Sequence, residues 1–249
     1  MRPQKAIIML QKEIAEYLAK HSHKQFKIKA LMFDMDGVLF NSMPFHAVSW
    51  CKAAKEYGLE LTEPQVYMNE GRTGASTINE LTMKTFGRAA TEEEMEKIYA
   101  RKSEIFNSCG VAEPMQGAAK SLNSIKADGL KIVLVTGSGQ KSLLDKLNRC
   151  FPGIFSPDNM VTAFDVKYGK PNPEPYLIGL KKAGVQANEA VVVENAPLGV
   201  RAGVSAGVFT IAVNTGPLPD KALADEGANV VFPSMEYFAE HWGEIRQFC

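Results

Sequence analysis

Short apolar runs alternate with segments of helical period along most of this chain. The runs 28–33, 131–136, 161–164, 190–193 and 208–213 are brief and rich in aliphatic residues, so they read as buried strands. Between them the pattern predicts helices over 117–128, 140–149, 173–183 and 197–206, with Gly129, Gly184 and Gly207 as stops. Strands and helices in such alternation form a parallel, doubly wound α/β sheet. Residues 44–114 break the rhythm and read only as helices. One runs from Pro44 and Phe45 to Tyr57 with Gly58 as its stop, one from Thr77 to Phe86, and one from the capping-box start at Thr91-Glu92-Glu93-Glu94 to about Asn107. At the start, Ile7, Leu10, Ile14 and Leu18 recur at helical spacing over residues 1–23. That helix is expected to pack on the protein's own surface rather than to serve a partner.

The expected organisation is therefore an N-terminal amphipathic helix (1–23), an α/β core (24–43 and 115–249) and a small helical cap inserted at 44–114. Composition adds exclusions. The 28 basic and 28 acidic residues cancel, leaving no field for nucleic acid or an anionic membrane. Cys51, Cys109, Cys150 and Cys249 are scattered without metal-site spacing, which reads as reduced thiols in a cytoplasmic protein. The apolar run Ala6 to Leu10 is too short for a signal-peptide core. The expected partners are a small phosphate-bearing molecule and at most a weak second copy of the chain.

The chemistry gathers at strand ends. The first strand runs into Asp34-Met35-Asp36-Gly37, and two carboxylates two residues apart share a face while the strand persists. Gly37 permits a sharp exit that aims both at one ligand. Like charges so placed call for a cation, and Mg²⁺ prefers such oxygens and travels with phosphate. Thr136, Gly137 and Ser138 end the second strand, Lys170 follows the third, and Glu194-Asn195 ends the fourth. A hydroxyl, a lysine and a carboxylate converging on an Asp pair make a phosphate and Mg²⁺ site.

These motifs, in this order over about residues 27–232, resemble the haloacid dehalogenase superfamily of phosphotransferases. The resemblance implies a Rossmann-like core with Asp34 as nucleophile and Asp36 as general acid/base. It also implies that Thr136 binds the transferring phosphoryl group, Lys170 offsets charge at the nucleophile and Glu194 holds Mg²⁺. A carboxylate nucleophile divides phosphoryl transfer into two steps, and an Asp two residues on is placed to move the proton. The helical insertion after the first motif, with His46, Trp50 and the Arg101-Lys102 pair, resembles the beta-phosphoglucomutase-like branch.

Three positions depart from that branch. Gly139-Gln140 stands where it has Lys-Asn, Thr77 where it has an arginine for a distal phosphate, and Glu194-Asn195-Ala196 where it has Glu-Asp-Ser. Asn195 keeps a hard oxygen but removes one charge from the metal site. Glu70, in the loop Asn69-Glu70-Gly71-Arg72, is expected to restore it from a closed cap, leaving a cavity for a small substrate, with Arg72 holding a second phosphate. The strings Glu-Gly-Arg-Thr-Gly-Ala-Ser-Thr and Val-Glu-Asn-Ala-Pro-Leu-Gly are similar to those of an inorganic pyrophosphatase within the branch. The expectation is a Mg²⁺-dependent phosphohydrolase acting on pyrophosphate. Sugar-phosphate isomerisation is the enzymatic alternative, and an inactive phosphate-binding regulator is the alternative of another class.

Overall fold

The computed structural model describes residues 3–249, with side chains described from Leu10 onward. Met1 and Arg2 of the helix expected over 1–23, and the Ile7 side chain, lie outside the described residues. Helix α1 (Pro3–His21) buries Leu10, Ile14 and Tyr17, each worth roughly 1.5–3 kcal/mol of apolar burial. The Tyr17 hydroxyl donates to the Gly207 carbonyl at 2.8 Å, so this helix is fastened to its own core.

Six strands form one parallel sheet: β1 (Ala30–Phe33), β2 (Lys131–Val135), β3 (Met160–Val161), β4 (Ala190–Glu194), β5 (Phe209–Val213) and β6 (Val230–Phe232). Their order is β3-β2-β1-β4-β5-β6, with Phe33 level with Leu134 on one side and Val193 on the other. From β1 the chain builds β2 and β3 outward on one side and then crosses back to build β4, β5 and β6 on the other, which puts the carboxyl end of β1 at the switch point where such sheets bind ligands. The period of two decides which side chains meet which helices. Leu31 and Phe33 face a core shared with α1, α6 (Ala118–Ala127), α7 (Lys141–Cys150), α11 (Met235–Glu240) and α12 (Trp242–Ile245). Ala30 and Met32 face α8 (Glu174–Ala183) and α9 (Pro197–Ser205).

Four helices fall between β1 and α6: α2 (Met43–Glu56), α3 (Glu63–Met68), α4 (Gly74–Phe86) and α5 (Glu92–Ser108). They enclose a core of their own that includes Ala47, Trp50, Leu59, Ile78 and Ile98, and they form the helical cap over the sheet edge. Thr91 and Glu94 make the expected capping box, with Glu94 Oε2 accepting from the Thr91 amide at 2.8 Å. The chains entering and leaving the cap are tied together: the Asn41 amide donates to the Glu113 carbonyl at 2.9 Å and the Met115 amide to Leu39 at 2.8 Å.

Several elements differ from the sequence reading. The run 161–164 is not a four-residue strand. The β3 strand ends at Val161, the Asp165 carboxylate accepts from the Thr162 amide and hydroxyl in a tight turn, and Phe164 is 79% exposed. The first strand begins at Ala30, because the Ile28 amide donates to Phe248 near the C-terminus instead of to a neighbouring strand. Helix α4 starts three residues earlier than Thr77, with Thr73 Oγ1 capping the Ser76 amide at 3.2 Å. The short α3, and everything after Val213 including β6 and α10 (Asp220–Ala224), escape a reading based on periodicity because each has too few residues to show a period.

Candidate active site

Asp34 follows β1 directly, and its amide still donates to the Val193 carbonyl at 3.1 Å, so the sheet itself fixes this residue. The chain then turns at Gly37, whose φ of 80° is the left-handed region where a side chain is strained. A Cβ there would also lie 2.1 Å from Asn195 Nδ2. The turn brings Asp36 under the cap. Ser42 Oγ donates to Asp36 Oδ1 at 2.5 Å, and His46 Nε2 lies 2.9 Å from the same oxygen. An ionised carboxylate only accepts, so the His46 proton belongs on Nε2. Both partners sit just past the connection into the cap, which ties the orientation of Asp36 to the position of α2.

Behind Asp34 lies a buried chain of charge. Lys170 Nζ donates to Asp34 Oδ1 at 2.5 Å, to Glu194 Oε1 at 2.6 Å and to the Val135 carbonyl at 2.9 Å. Glu194 Oε1 also accepts from the Tyr176 hydroxyl at 2.7 Å, while its Oε2 accepts from the amides of Asn195 and Ala196 at 3.0 and 3.3 Å. The Thr136 amide continues the sheet toward Val161, and its hydroxyl accepts from the Ser138 amide at 3.0 Å, shaping the turn through Gly137.

The cap is closed on this edge. A Cβ on Gly137 would lie 2.1 Å from the Gly71 carbonyl oxygen, so the core turn and the cap loop touch backbone to backbone. That contact carries Glu70 inward, where its Oε2 accepts from Asn195 Nδ2 at 3.4 Å. Arg72 pairs with Glu80 at 3.0 Å. Lys102, from α5, is buried with its ammonium 5.0–5.5 Å from the ring centres of Phe106, Trp50 and Tyr99, and it donates to Gln140 Oε1 at 3.3 Å.

Electrostatics separate the two aspartates. Burial pushes the Asp34 carboxyl up to about 8, with Lys170 pulling against it and Glu194 and Asp36 adding to it. Burial would raise Asp36 too, but His46, Ser42 and Lys102 together outweigh it and hold that carboxyl below its ordinary range. Burial lowers His46, with Lys102 adding to the effect and Asp36 opposing it. Burial lowers the Lys102 ammonium to about 7. Glu70 is pushed well above the usual carboxylate range, first by burial and then by Asp34, Asp36 and Glu194.

A carboxylate cluster that retains protons chiefly because it is buried, and secondarily because like charges crowd it, is suited to a divalent cation. Among the described residues no three acidic, histidine or cysteine side chains close on one point at ligand spacing. The fit rests instead on buried oxygens without partners, Glu70 Oε1 and Asn195 Oδ1. They belong to two side chains that already touch through Asn195 Nδ2 and Glu70 Oε2, and they are hard donors of the kind that Mg²⁺ takes. Asp36 and Glu194, also expected to hold the metal, have oxygens engaged by protein donors in this state.

The residues expected at the site come together. Asp34, Asp36, His46, Glu70, Arg72, Lys102, Thr136, Gly137 and Ser138 all line one cavity, while Lys170, Glu194 and Asn195 stand behind or beside its wall. Its free volume is about 60 Å³, less than half of the roughly 150 Å³ cavity that admits a benzene ring. Met43, Trp50, Leu61 and Val66 give it an apolar wall. Sequence reasoning missed Ser42, a residue at a helix start with no distinguishing mark. It also missed Tyr176, whose place six residues after Lys170 on a helix gives no sign that it reaches Glu194.

Comparison with known proteins adds an independent line. The model of the haloacid dehalogenase-like hydrolase family matches residues 31–213. A solved structure named "Putative beta-phosphoglucomutase from Bacteroides vulgatus" is 56% identical, with a TM-score of 0.93 over 97% of this chain and 98% of that one. Among curated proteins, hexitol phosphatase A of Escherichia coli is 31% identical, covering 76% of this chain and 84% of that protein. The phosphorylated carbohydrates phosphatase of Thermotoga maritima is also 31% identical, covering 81% and 92%.

Proposed function

The chain belongs to the haloacid dehalogenase-like hydrolases, and on that premise we propose that it is a phosphohydrolase for very small substrates, with pyrophosphate first among them. The observation that carries this reading is the burial of Glu70 against Asn195 by a cap loop pressed onto Gly137. The cap thereby brings a carboxyl group, anionic once a cation displaces its proton, to where the core offers an amide.

In the proposed reaction Asp34 attacks one phosphorus, its bond to phosphate forms as the bridging P–O bond breaks, and the second phosphate leaves. Lys170, 2.5 Å from Asp34 Oδ1, holds the nucleophile in line and offsets charge there. The departing phosphate leaves as the dianion HPO₄²⁻, keeping the proton that its end of the substrate already carried, so Asp36 has no proton to supply in this step. The depressed Asp36 suits that leaving group, and it is then available as the base that takes a proton from the water attacking the aspartyl-phosphate. Thr136 and the Gly137–Ser138 turn border the transferring group, and Arg72 and Lys102 the far phosphate. Mg²⁺, held by Asp34, Glu70 and Asn195 with charge from Asp36 and Glu194, would supply countercharge to the two phosphates.

A second reading, conversion or hydrolysis of a phosphorylated carbohydrate, is favoured by the named activities of the relatives and by the apolar wall of Trp50, Leu61 and Val66. An opened cap would be needed to admit a sugar ring. Incubation with Mg²⁺ and a panel of pyrophosphate, hexose and hexitol phosphates, and glucose 1-phosphate primed with the bisphosphate separates the two. The first reading predicts the highest kcat/KM on pyrophosphate. Faster turnover or isomerisation of a sugar phosphate would establish the second, and no turnover of any would leave the regulatory alternative.

A further inference from the structure

We propose that the Tyr176 hydroxyl sets the position of Lys170 against the nucleophile by occupying the shared oxygen of Glu194. The proposal rests on the phosphoryl-transfer reading above but not on the choice of substrate.

The Lys170 ammonium has three protons and three acceptors, Asp34 Oδ1, Glu194 Oε1 and the Val135 carbonyl. The carbonyl is fixed by the sheet, so the balance between the two carboxylates decides how closely the ammonium approaches Asp34. Tyr176 acts on that balance. Its hydroxyl donates to Glu194 Oε1 at 2.7 Å, the same atom that Lys170 contacts at 2.6 Å. Its ring centre lies 5.2 Å from Lys170 Nζ, limiting movement of the ammonium toward α8. Both side chains are fully buried, so no water replaces the hydroxyl if it is removed. Glu194 Oε1 would then draw Lys170 toward itself and away from Asp34.

A purely packing role does not account for the oxygen. Tyr176 sits in an aliphatic cluster with Met32, Val133 and Val161, where phenylalanine fills the same space without a polar group to satisfy. The hydroxyl is thus expected to act on charge geometry more than on packing. Tyr176 touches neither the cavity nor any reacting atom and is a positioning residue.

The test is Tyr176→Phe in the full chain. Melting temperature and circular dichroism should match the wild type, since Glu194 Oε1 keeps Lys170 as a donor. On whichever substrate the wild type turns over, pyrophosphate or an aryl phosphate, kcat should fall about tenfold, the scale of one hydrogen bond to a charged group. KM and the half-saturating Mg²⁺ concentration should stay within about twofold. A turnover-free readout is beryllium fluoride with Mg²⁺, which mimics a phosphoryl group on an aspartate. Its adduct, followed by ¹⁹F NMR, should weaken about tenfold in the variant. Pyrophosphate inactivity with the tenfold loss on an aryl phosphate would remove the substrate reading and leave this proposal standing. The proposal is overturned by an unchanged kcat and an unchanged adduct, by a loss confined to KM or to Mg²⁺ affinity, or by a fall in activity that only follows a fall in melting temperature.

Discussion

Asp34 and Asp36 are two residues apart and held in opposite electrostatic states, which makes single substitutions informative. Asp34→Asn keeps the shape and removes the carboxylate proposed as nucleophile. Turnover should fall by at least about a hundredfold, as loss of a covalent route costs several kcal/mol of barrier. The same variant has a sign in stability. Without metal, the folded protein keeps a proton on Asp34 up to about pH 8 that the unfolded chain gives up near its ordinary value of 3.8, so this group's contribution to stability declines as pH rises between those limits. Metal-free Asp34→Asn should therefore gain melting temperature relative to wild type from pH 5 to pH 8 and hold that gain above it, and a pH-independent difference would mean that Asp34 is not raised. Glu70→Ala removes the oxygen delivered by the cap. It should reduce pyrophosphate hydrolysis about tenfold or more while changing hydrolysis of a bulky aryl phosphate less than about threefold, because a large substrate keeps the cap from closing. Equal losses on both substrates would remove Glu70 from the closed-state chemistry.

At the scale of elements, closure depends on a turn and a loop whose backbones touch. Gly137 leaves room for the Gly71 carbonyl, and a methyl group there would lie 2.1 Å from that oxygen. Gly137→Ala should thus hold the cap away from the core. The expected result is a kcat/KM on pyrophosphate at least about tenfold lower with a melting temperature within a few degrees of wild type, since a misplaced site costs rate more readily than fold. Unimpaired kinetics would show that closure takes another path. The connection between cap and core has a second consequence. Ser42 and His46 both bond Asp36 from the cap side, so any motion of α2 also moves the group proposed as acid/base.

For the whole molecule, charge balance is the main consideration. The chain is neutral overall, yet Asp34, Asp36, Glu70 and Glu194 gather within one buried region with Lys170 and Lys102 as the nearby lysines. A cation entering there displaces protons from Asp34 and Glu70, and it does so more easily when fewer are bound. Millimolar Mg²⁺ should raise the melting temperature more at pH 8 than at pH 5, by thermal shift or calorimetry. An equal rise at both values would place the ion away from these carboxylates. Among the described residues no helix is long and apolar enough to cross a membrane.

The sequence alone determined the alternation of strands and helices, the place of the inserted cap and the strand ends that carry Asp34, Thr136 and Glu194, with Lys170 in the loop after the third strand. Each of these is a local property, since strand and helix periods, helix stops and capping residues are set by neighbours within a few positions. The burial of Glu70 and the hydroxyl contact of Tyr176 join residues 125 and 18 positions apart. Tertiary structure alone decided the Tyr176 contact; the approach of Glu70 was expected from the departure at Asn195, but only the fold separates a solvated loop carboxylate from one pressed against that residue. The end of β3 at Val161 and the short elements after Val213 were decided in the same way. Partners elsewhere in the fold fixed them, where the local pattern was too brief to do so.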